Sequence, residues 1–269
     1  APTSAGGPGS TPETPRDNAV IDKRDRVQGS EDLQAGWKGY LKDEDELVIA
    51  VIDDFAPETD EANTAPDGSH FNHGKTIEHI IREGGAAANG SVSSEEPLQI
   101  RTITYNVDNP GQQRVDGIRL ALEDVLARVK AGEPIDAVNI SQQALSDFDG
   151  SEEVDQILRT LQDDYGVPVV VAAGNGGPGA SNRLAREAAI VVENSEYGKE
   201  TRASSSSAGN VRSEGAFTSQ ATANAVVRAA QFQDMGMTPP QILQFLLAEA
   251  RLEGGSLDAA ANQPVFDPA

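Results

Sequence analysis

The sequence predicts an α/β fold: a three-layer, doubly wound, mostly parallel sheet with helices on both faces. Two observations carry this reading. Short continuous apolar runs alternate along the chain with longer segments of helical period. The apolar residues are mainly Val, Ile, Leu and Ala, with aromatics at only 4%, a composition suited to strands buried on both faces. A chain of 269 residues is long enough for one such domain after allowance for a tail.

Residues 1–29 are rich in Pro, Gly, Ser, Thr and Asp and show almost no apolar periodicity. They read as a flexible tail, because too little apolar surface is present to offset the entropy of ordering. The domain is expected over 30–269, opening with a short helix carrying Leu33, Trp37, Tyr40 and Leu41. Leu47 to Ile52 is a continuous apolar run ending in Asp53 and Asp54, the pattern of a central parallel strand whose carboxyl end meets a site.

A helix is expected from His73 to Glu83, with Ile77, Ile80 and Ile81 on one face. Leu98 to Tyr105 then reads as a strand, Arg114 to Lys130 as a helix and Ala137 to Ser141 as a short strand. Ser151 to Tyr165 is the next helix, followed by strands over Val167 to Ala173 and Ala189 to Glu193. Asn194 to Gly215 is Ser- and Gly-rich and reads as loop, with Ser204 to Ser207 as its flexible part. Two helices, Ser219 to Met235 and Pro239 to Leu252, complete the pattern.

The excess of 43 acidic over 21 basic residues gives a formal charge of −22. Nucleic acid and anionic membrane are therefore disfavoured as partners by electrostatics. No run has the length of a membrane-spanning helix. The absence of cysteine excludes disulfides, thiolate metal sites and a cysteine nucleophile. The oligomeric state is not encoded in any of these features.

Asp53, His73, Asn175 and Ser219 fall at expected strand ends and helix starts, where a doubly wound sheet places its ligands. These types make up a hydroxyl-nucleophile site. A serine is a poor nucleophile until an imidazole removes its proton, a part open to His73. A carboxylate on the other ring nitrogen, here Asp53, holds the tautomer and stabilises the imidazolium. The Asn175 amide and the backbone N–H of Ser219 are suited to an oxyanion.

Alternatives exist at each position. Asp54 competes with Asp53, and the two together could hold a cation. His70 and His73 have a spacing that a metal could use, while His79 reads as a surface or packing residue. Ser219 alone would be an ordinary helix N-cap. Gly174-Asn175-Gly176-Gly177 could be a turn or phosphate loop, although no Gly-Lys-Ser/Thr follows.

The five segments together resemble the subtilisin-like serine peptidases, the subtilases. Val48-Ile49-Ala50-Val51-Ile52-Asp53-Asp54 resembles their aspartate strand, and His73-Gly74-Lys75-Thr76-Ile77 their histidine helix. Val138-Asn139-Ile140-Ser141 is similar to the substrate-binding strand and Val169 to Asn175 to the oxyanion segment. Thr218-Ser219-Gln220-Ala221-Thr222-Ala223 resembles the nucleophile helix. The order Asp, His, Asn, Ser is also the family's.

The resemblance implies a serine endopeptidase that forms an acyl-enzyme on Ser219, with His73 as base, Asp53 orienting it and Asn175 stabilising the oxyanion. It implies substrate contacts at Ser141, Gln143 and Gly174, a polypeptide partner lying extended along the strand, and no organic cofactor. Structural calcium is common in the family, but no spaced set of oxygen ligands stands out. Export from the cell is an expectation of the resemblance only.

Several positions depart from the family pattern. Phe55 and Phe217 replace glycines, Thr76 replaces a second histidine, Gln143 replaces the glycine of Ser-Leu-Gly and Ala223 replaces a proline. Loss of glycine at 217 is expected to oppose tight backbone geometry, and Gln143 to narrow the pocket or make it more polar. These departures motivate a second reading, a catalytically silent domain of this fold that binds a protein partner.

Overall fold

The computed structural model describes residues 46–55, 72–91, 99–109, 111–195 and 201–252. The expected tail, residues 30–45 of the short helix expected after it, and His70 lie outside the described residues.

Six strands form one sheet: β1 (Leu47–Asp53), β2 (Ile100–Asn106), β3 (Ala137–Ile140), β4 (Val169–Ala172), β5 (Ile190–Ser195) and β6 (Val211–Glu214). Their order across the sheet is β2-β1-β3-β4-β5-β6, with every neighbouring pair parallel. The chain leaves β1 towards one side to make β2 and returns to the other side to make β3. A doubly wound sheet opens a crevice at such a reversal, beyond the carboxyl ends of the strands.

Among the described residues five α-helices cover the sheet: α1 (His73–Ser91), α2 (Arg114–Lys130), α3 (Ser151–Arg159), α4 (Thr218–Asp234) and α5 (Pro239–Leu252). The alternation of β1 divides the core in two. Val48, Ala50 and Ile52 pack with α2 and α3 through Leu122, Val125 and Leu158. Leu47, Ile49 and Val51 pack with α1, α4 and α5 through Ile77, Val226 and Leu246. All seven residues of β1 are buried, as the unbroken apolar run requires.

Three elements differ from expectation. The helix beginning at Ser151 is α-helical only to Arg159 and then widens into a π turn over Thr160–Asp164. Helix α1 runs eight residues beyond Glu83, to Ser91. The stretch 194–215, read as loop, holds the end of β5 and all of β6.

Strand β6 escapes a hydrophobic criterion because Val211 is its one apolar residue. The sheet edge here is held by polar groups. Glu193 is fully buried and accepts from Arg212 at 2.6 Å and from the Gly209 N–H at 3.0 Å. Ser206 and Ser207 are also fully buried, whereas Ser204 and Ser205 are exposed, so the second half of the Ser run is packed where the sequence suggested open loop.

Candidate active site

Asp53 is the last residue of β1 and is fully buried. His73 opens α1, with its side chain 30% exposed. Gly74 brings these elements together. Its N–H donates to the Asp54 carbonyl at 2.6 Å, and a Cβ there would lie 2.7 Å from that oxygen and 2.8 Å from the Phe55 ring. Only glycine permits so close an approach. His73 Nδ1 consequently lies 2.7 Å from Asp53 Oδ1.

Ser219 is the second residue of α4, and its Oγ lies 3.1 Å from His73 Nε2. Both ring nitrogens thus face polar partners, and a proton on Nδ1 leaves Nε2 as an acceptor aimed at the hydroxyl. Ser219 does not cap its helix. The N-cap is Phe217, and its side chain makes no cap. The Ser219 N–H belongs to the first turn, whose N–H groups lack intrahelical acceptors.

Asn175 follows the exit of β4. Its Oδ1 accepts from the Thr218 N–H and from Thr218 Oγ, both at 3.0 Å. Because a backbone N–H can only donate, the amide orientation is fixed with Nδ2 on the other side. That leaves Nδ2 as a donor on a residue that lines one cleft with Ser219. Gly174, at φ +104°, sets up this turn. Its N–H donates to Thr218 Oγ at 3.3 Å, and its carbonyl accepts from the Ser207 N–H at 2.8 Å. The buried serines therefore brace the segment that carries Asn175.

A cleft of about 420 Å³ runs past these groups, lined by His73, Ser141, Gln143, Gly174, Asn175 and Ser219 among others. Ser141 Oγ accepts from Asn139 Nδ2 at 3.0 Å and donates to the Ser219 carbonyl at 3.3 Å, tying the exit of β3 to the start of α4. All seven residues singled out in the sequence, Asp53, His73, Ser141, Gln143, Gly174, Asn175 and Ser219, therefore meet around one crevice at the topological reversal.

The competing assignments separate in space. The Asp54 carboxylate turns to Arg114 at 3.1 Å, while its N–H donates to Asp53 Oδ1 at 2.6 Å. Asp54 is a supporting donor to the carboxylate it would have replaced. His79 is exposed, as expected of a surface residue. Among the described residues no group of three His, Asp or Glu is placed to hold a metal.

Three polar residues that the sequence reading passed over shape the site. Gln142 is buried, and its Nε2 donates to Asp53 Oδ1 at 2.5 Å. Asn182 is 2% exposed; its Nδ2 donates to the carbonyls of Gln142 at 2.8 Å and Ala172 at 2.7 Å, and its Oδ1 accepts from the N–H groups of Ala144 at 3.0 Å and Leu184 at 3.1 Å. It joins the loops leaving β3 and β4.

Arg183 clamps the same region from behind, bonding both carboxylate oxygens of the buried Asp155 at 2.7 Å and reaching Asp147 as well. The hydrogen bonds that Arg183 donates to Asp155 hold its guanidinium above its ordinary pKa, and the hydrogen bond it donates to Asp147 holds that carboxyl below its own.

The feared loss of glycine at 217 has no structural consequence. Phe217 has extended backbone at φ −138° and ψ 163°, a conformation open to any residue. No non-glycine among the described residues has positive φ.

Solved structures share this architecture. A structure of an S41 psychrophilic protease matches at TM-score 0.53 and 19% identity, covering 80% of this chain and 89% of that one. The patellamide maturation protease PatA matches at TM-score 0.52 and 19% identity over 75% of this chain and 85% of its own. The subtilase cytotoxin SubAB matches at TM-score 0.50 and 15% identity over 84% and 87%. The fold is subtilisin-like. No family model and no curated protein matches the sequence, so the subtilisin-like architecture persists here at an identity where sequence comparison is silent. The doubly wound parallel sheet expected from the sequence is present, with β6 a sixth strand in a stretch that the sequence reading gave to a loop.

Proposed function

We propose that the chain is a serine endopeptidase in which Asp53, His73 and Ser219 form the catalytic triad and Asn175 donates to the oxyanion. The observation that carries this reading is the continuous path from Asp53 Oδ1 through the His73 ring to Ser219 Oγ, with contacts of 2.7 Å and 3.1 Å. His73 removes the Ser219 proton as Oγ attacks the carbonyl carbon of the scissile peptide. The carbonyl oxygen becomes an oxyanion held by Asn175 Nδ2 and the Ser219 N–H.

Collapse of that intermediate breaks the C–N bond, and His73 returns its proton to the leaving amine. Water then attacks the acyl-enzyme with His73 again as base, releasing the acid and restoring Ser219. Asp53 remains ionised and opposes the imidazolium throughout. Every group in this scheme belongs to the chain.

The substrate is a polypeptide lying extended beside Ser141 at the exit of β3, where backbone hydrogen bonds can align it. PatA and the psychrophilic enzyme are both proteases, which supports this reading. The silent alternative is not favoured, since Phe55 and Phe217 do not force the backbone from an ordinary conformation.

A fluorophosphonate probe tests the proposal. Covalent labelling that disappears in Ser219→Ala is expected. Folded wild-type protein that takes no label, and cleaves no casein or unstructured peptide, refutes it.

A further inference from the structure

The Asp53 carboxylate is fully buried, and all its hydrogen bonds among the described residues meet at one oxygen. Oδ1 accepts from the Asp54 N–H at 2.6 Å and from Gln142 Nε2 at 2.5 Å, and lies 2.7 Å from His73 Nδ1. Oδ2 is buried without a hydrogen-bond partner among those residues. A carboxylate withdrawn from water stays ionised where hydrogen bonds replace its hydration, so here the donors at Oδ1 carry that task. One of them is the imidazole that reacts and one is backbone. Gln142 is the remaining side chain.

Gln142 is held from behind. Its carbonyl accepts from Asn182 Nδ2 at 2.8 Å, and the same Asn182 bonds the Ala172 carbonyl and the Ala144 N–H. An ionised carboxylate can only accept, which sets the Gln142 amide with Nε2 towards Asp53. A fixed chain of amides thus runs from the exit of β4 to the carboxylate at the end of β1.

We infer that Gln142 is a positioning residue of the triad: acting through Asp53, its amide keeps Oδ1 in line with His73 Nδ1 and holds the carboxylate ionised while the ring is neutral. The inference rests on the peptidase reading above. The reactive form of the Asp53–His73 pair carries one negative charge, and the form with one more proton carries none, wherever that proton sits. A donor aimed at the pair favours the reactive form. Without it the pair takes up its proton at higher pH, and activity fades sooner on acidification. The charged groups nearest the pair among the described residues are Asp54 and Asp108, bonded to Arg114 at 3.1 Å and 3.3 Å, and Lys75, bonded to Glu78 at 3.0 Å. Helix α4 presents the uncharged Thr218 and Ser219. These pairs do not use Gln142, so a change there leaves them in place.

The test compares Gln142→Met, which keeps the length of the side chain and removes the donor, with Gln142→Glu, which brings a second carboxyl to Asp53. In Gln142→Met the acid limb of kcat/KM for an unstructured peptide is expected to rise by about half a pH unit or more. Gln142→Glu should move it further, because two adjacent carboxyls resist ionising together. A role in packing alone would lower Tm and leave the limb where it was. NMR titration of the His73 ring, its signal assigned with His73→Ala, follows the same shift without relying on turnover. A limb and a ring titration that stay at their wild-type positions in both folded variants overturn the inference, while fluorophosphonate labelling of Ser219 leaves the peptidase reading standing. A ring titration that shifts in protein showing neither labelling nor cleavage overturns the peptidase reading and supports the hold of Gln142 on the pair.

Discussion

Replacing Asn182 by alanine should weaken the whole domain from a position that touches no reacting atom. The side chain makes four hydrogen bonds, two donated and two accepted, all to backbone groups: Gln142 and Ala144 in the loop leaving β3, Ala172 at the end of β4, and Leu184 in the short helical turn that Asn182 caps. At about 0.5–1.5 kcal/mol net for each bond, the loss is about 2–6 kcal/mol. Water entering the vacated polar space would recover part of this, so about 2–4 kcal/mol is expected. Asn182→Asp should be no milder: it keeps the acceptor but sets a carboxylate oxygen against the carbonyls of Gln142 and Ala172. Urea unfolding followed by circular dichroism gives the free energy directly. In a domain of this size each kcal/mol also lowers Tm by about 2–4 °C. A loss below about 1 kcal/mol in Asn182→Ala would refute the claim that this one amide joins the two loops.

Two further predictions follow from the same geometry. Asn175→Ala should lower kcat by about 10²–10³ while changing KM little, because its donor is engaged mainly in the transition state; an unchanged kcat in steady-state peptide hydrolysis would remove Asn175 from the oxyanion site. Asp155→Ala should cost about 3–5 kcal/mol in denaturant unfolding by leaving the buried Arg183 without its bidentate partner, whereas pairing Asp155→Leu with Arg183→Met should recover most of that loss.

The fold was readable because its signal is local. Strand β1 up to Ile52 and the whole of β4 are uninterrupted apolar runs, and the helices repeat their apolar residues within a few turns. Asp53, His73, Asn175 and Ser219 were readable for a related reason: each sits at the junction of such elements, and their order along the chain narrows the chemistry. What failed to show was polar burial. Gln142 meets Asp53 across 89 positions of sequence, and only the pairing of β1 with β3 brings them together. An amide after a strand otherwise resembles any solvated loop residue. The same holds for Arg183 and Asp155, 28 positions apart, and for Glu193, whose neutralisation by Arg212 turns a polar stretch into sheet. Ser206 and Ser207 misled in the opposite sense, since a Ser run suggests open loop while the backbone around Gly174 needs buried hydrogen-bonding neighbours.

The departures from the subtilase pattern divide by what they alter. At 55 and 217 a glycine has become phenylalanine, yet neither position uses a glycine conformation. The close contact that α1 requires with the end of β1 is supplied by Gly74, whose missing Cβ leaves room both for the Asp54 carbonyl and for the Phe55 ring. A bulky residue after Asp53-Asp54 is compatible with the 2.7 Å approach of His73 to Asp53 for this reason. Gln143 is different in kind. It leaves the path from Asp53 to Ser219 untouched and instead places an amide against Gly174 in the cleft. Backbone departures of the first sort would decide whether the reacting groups meet, and their conformations allow it. A cleft departure of the second sort leaves those groups where they are.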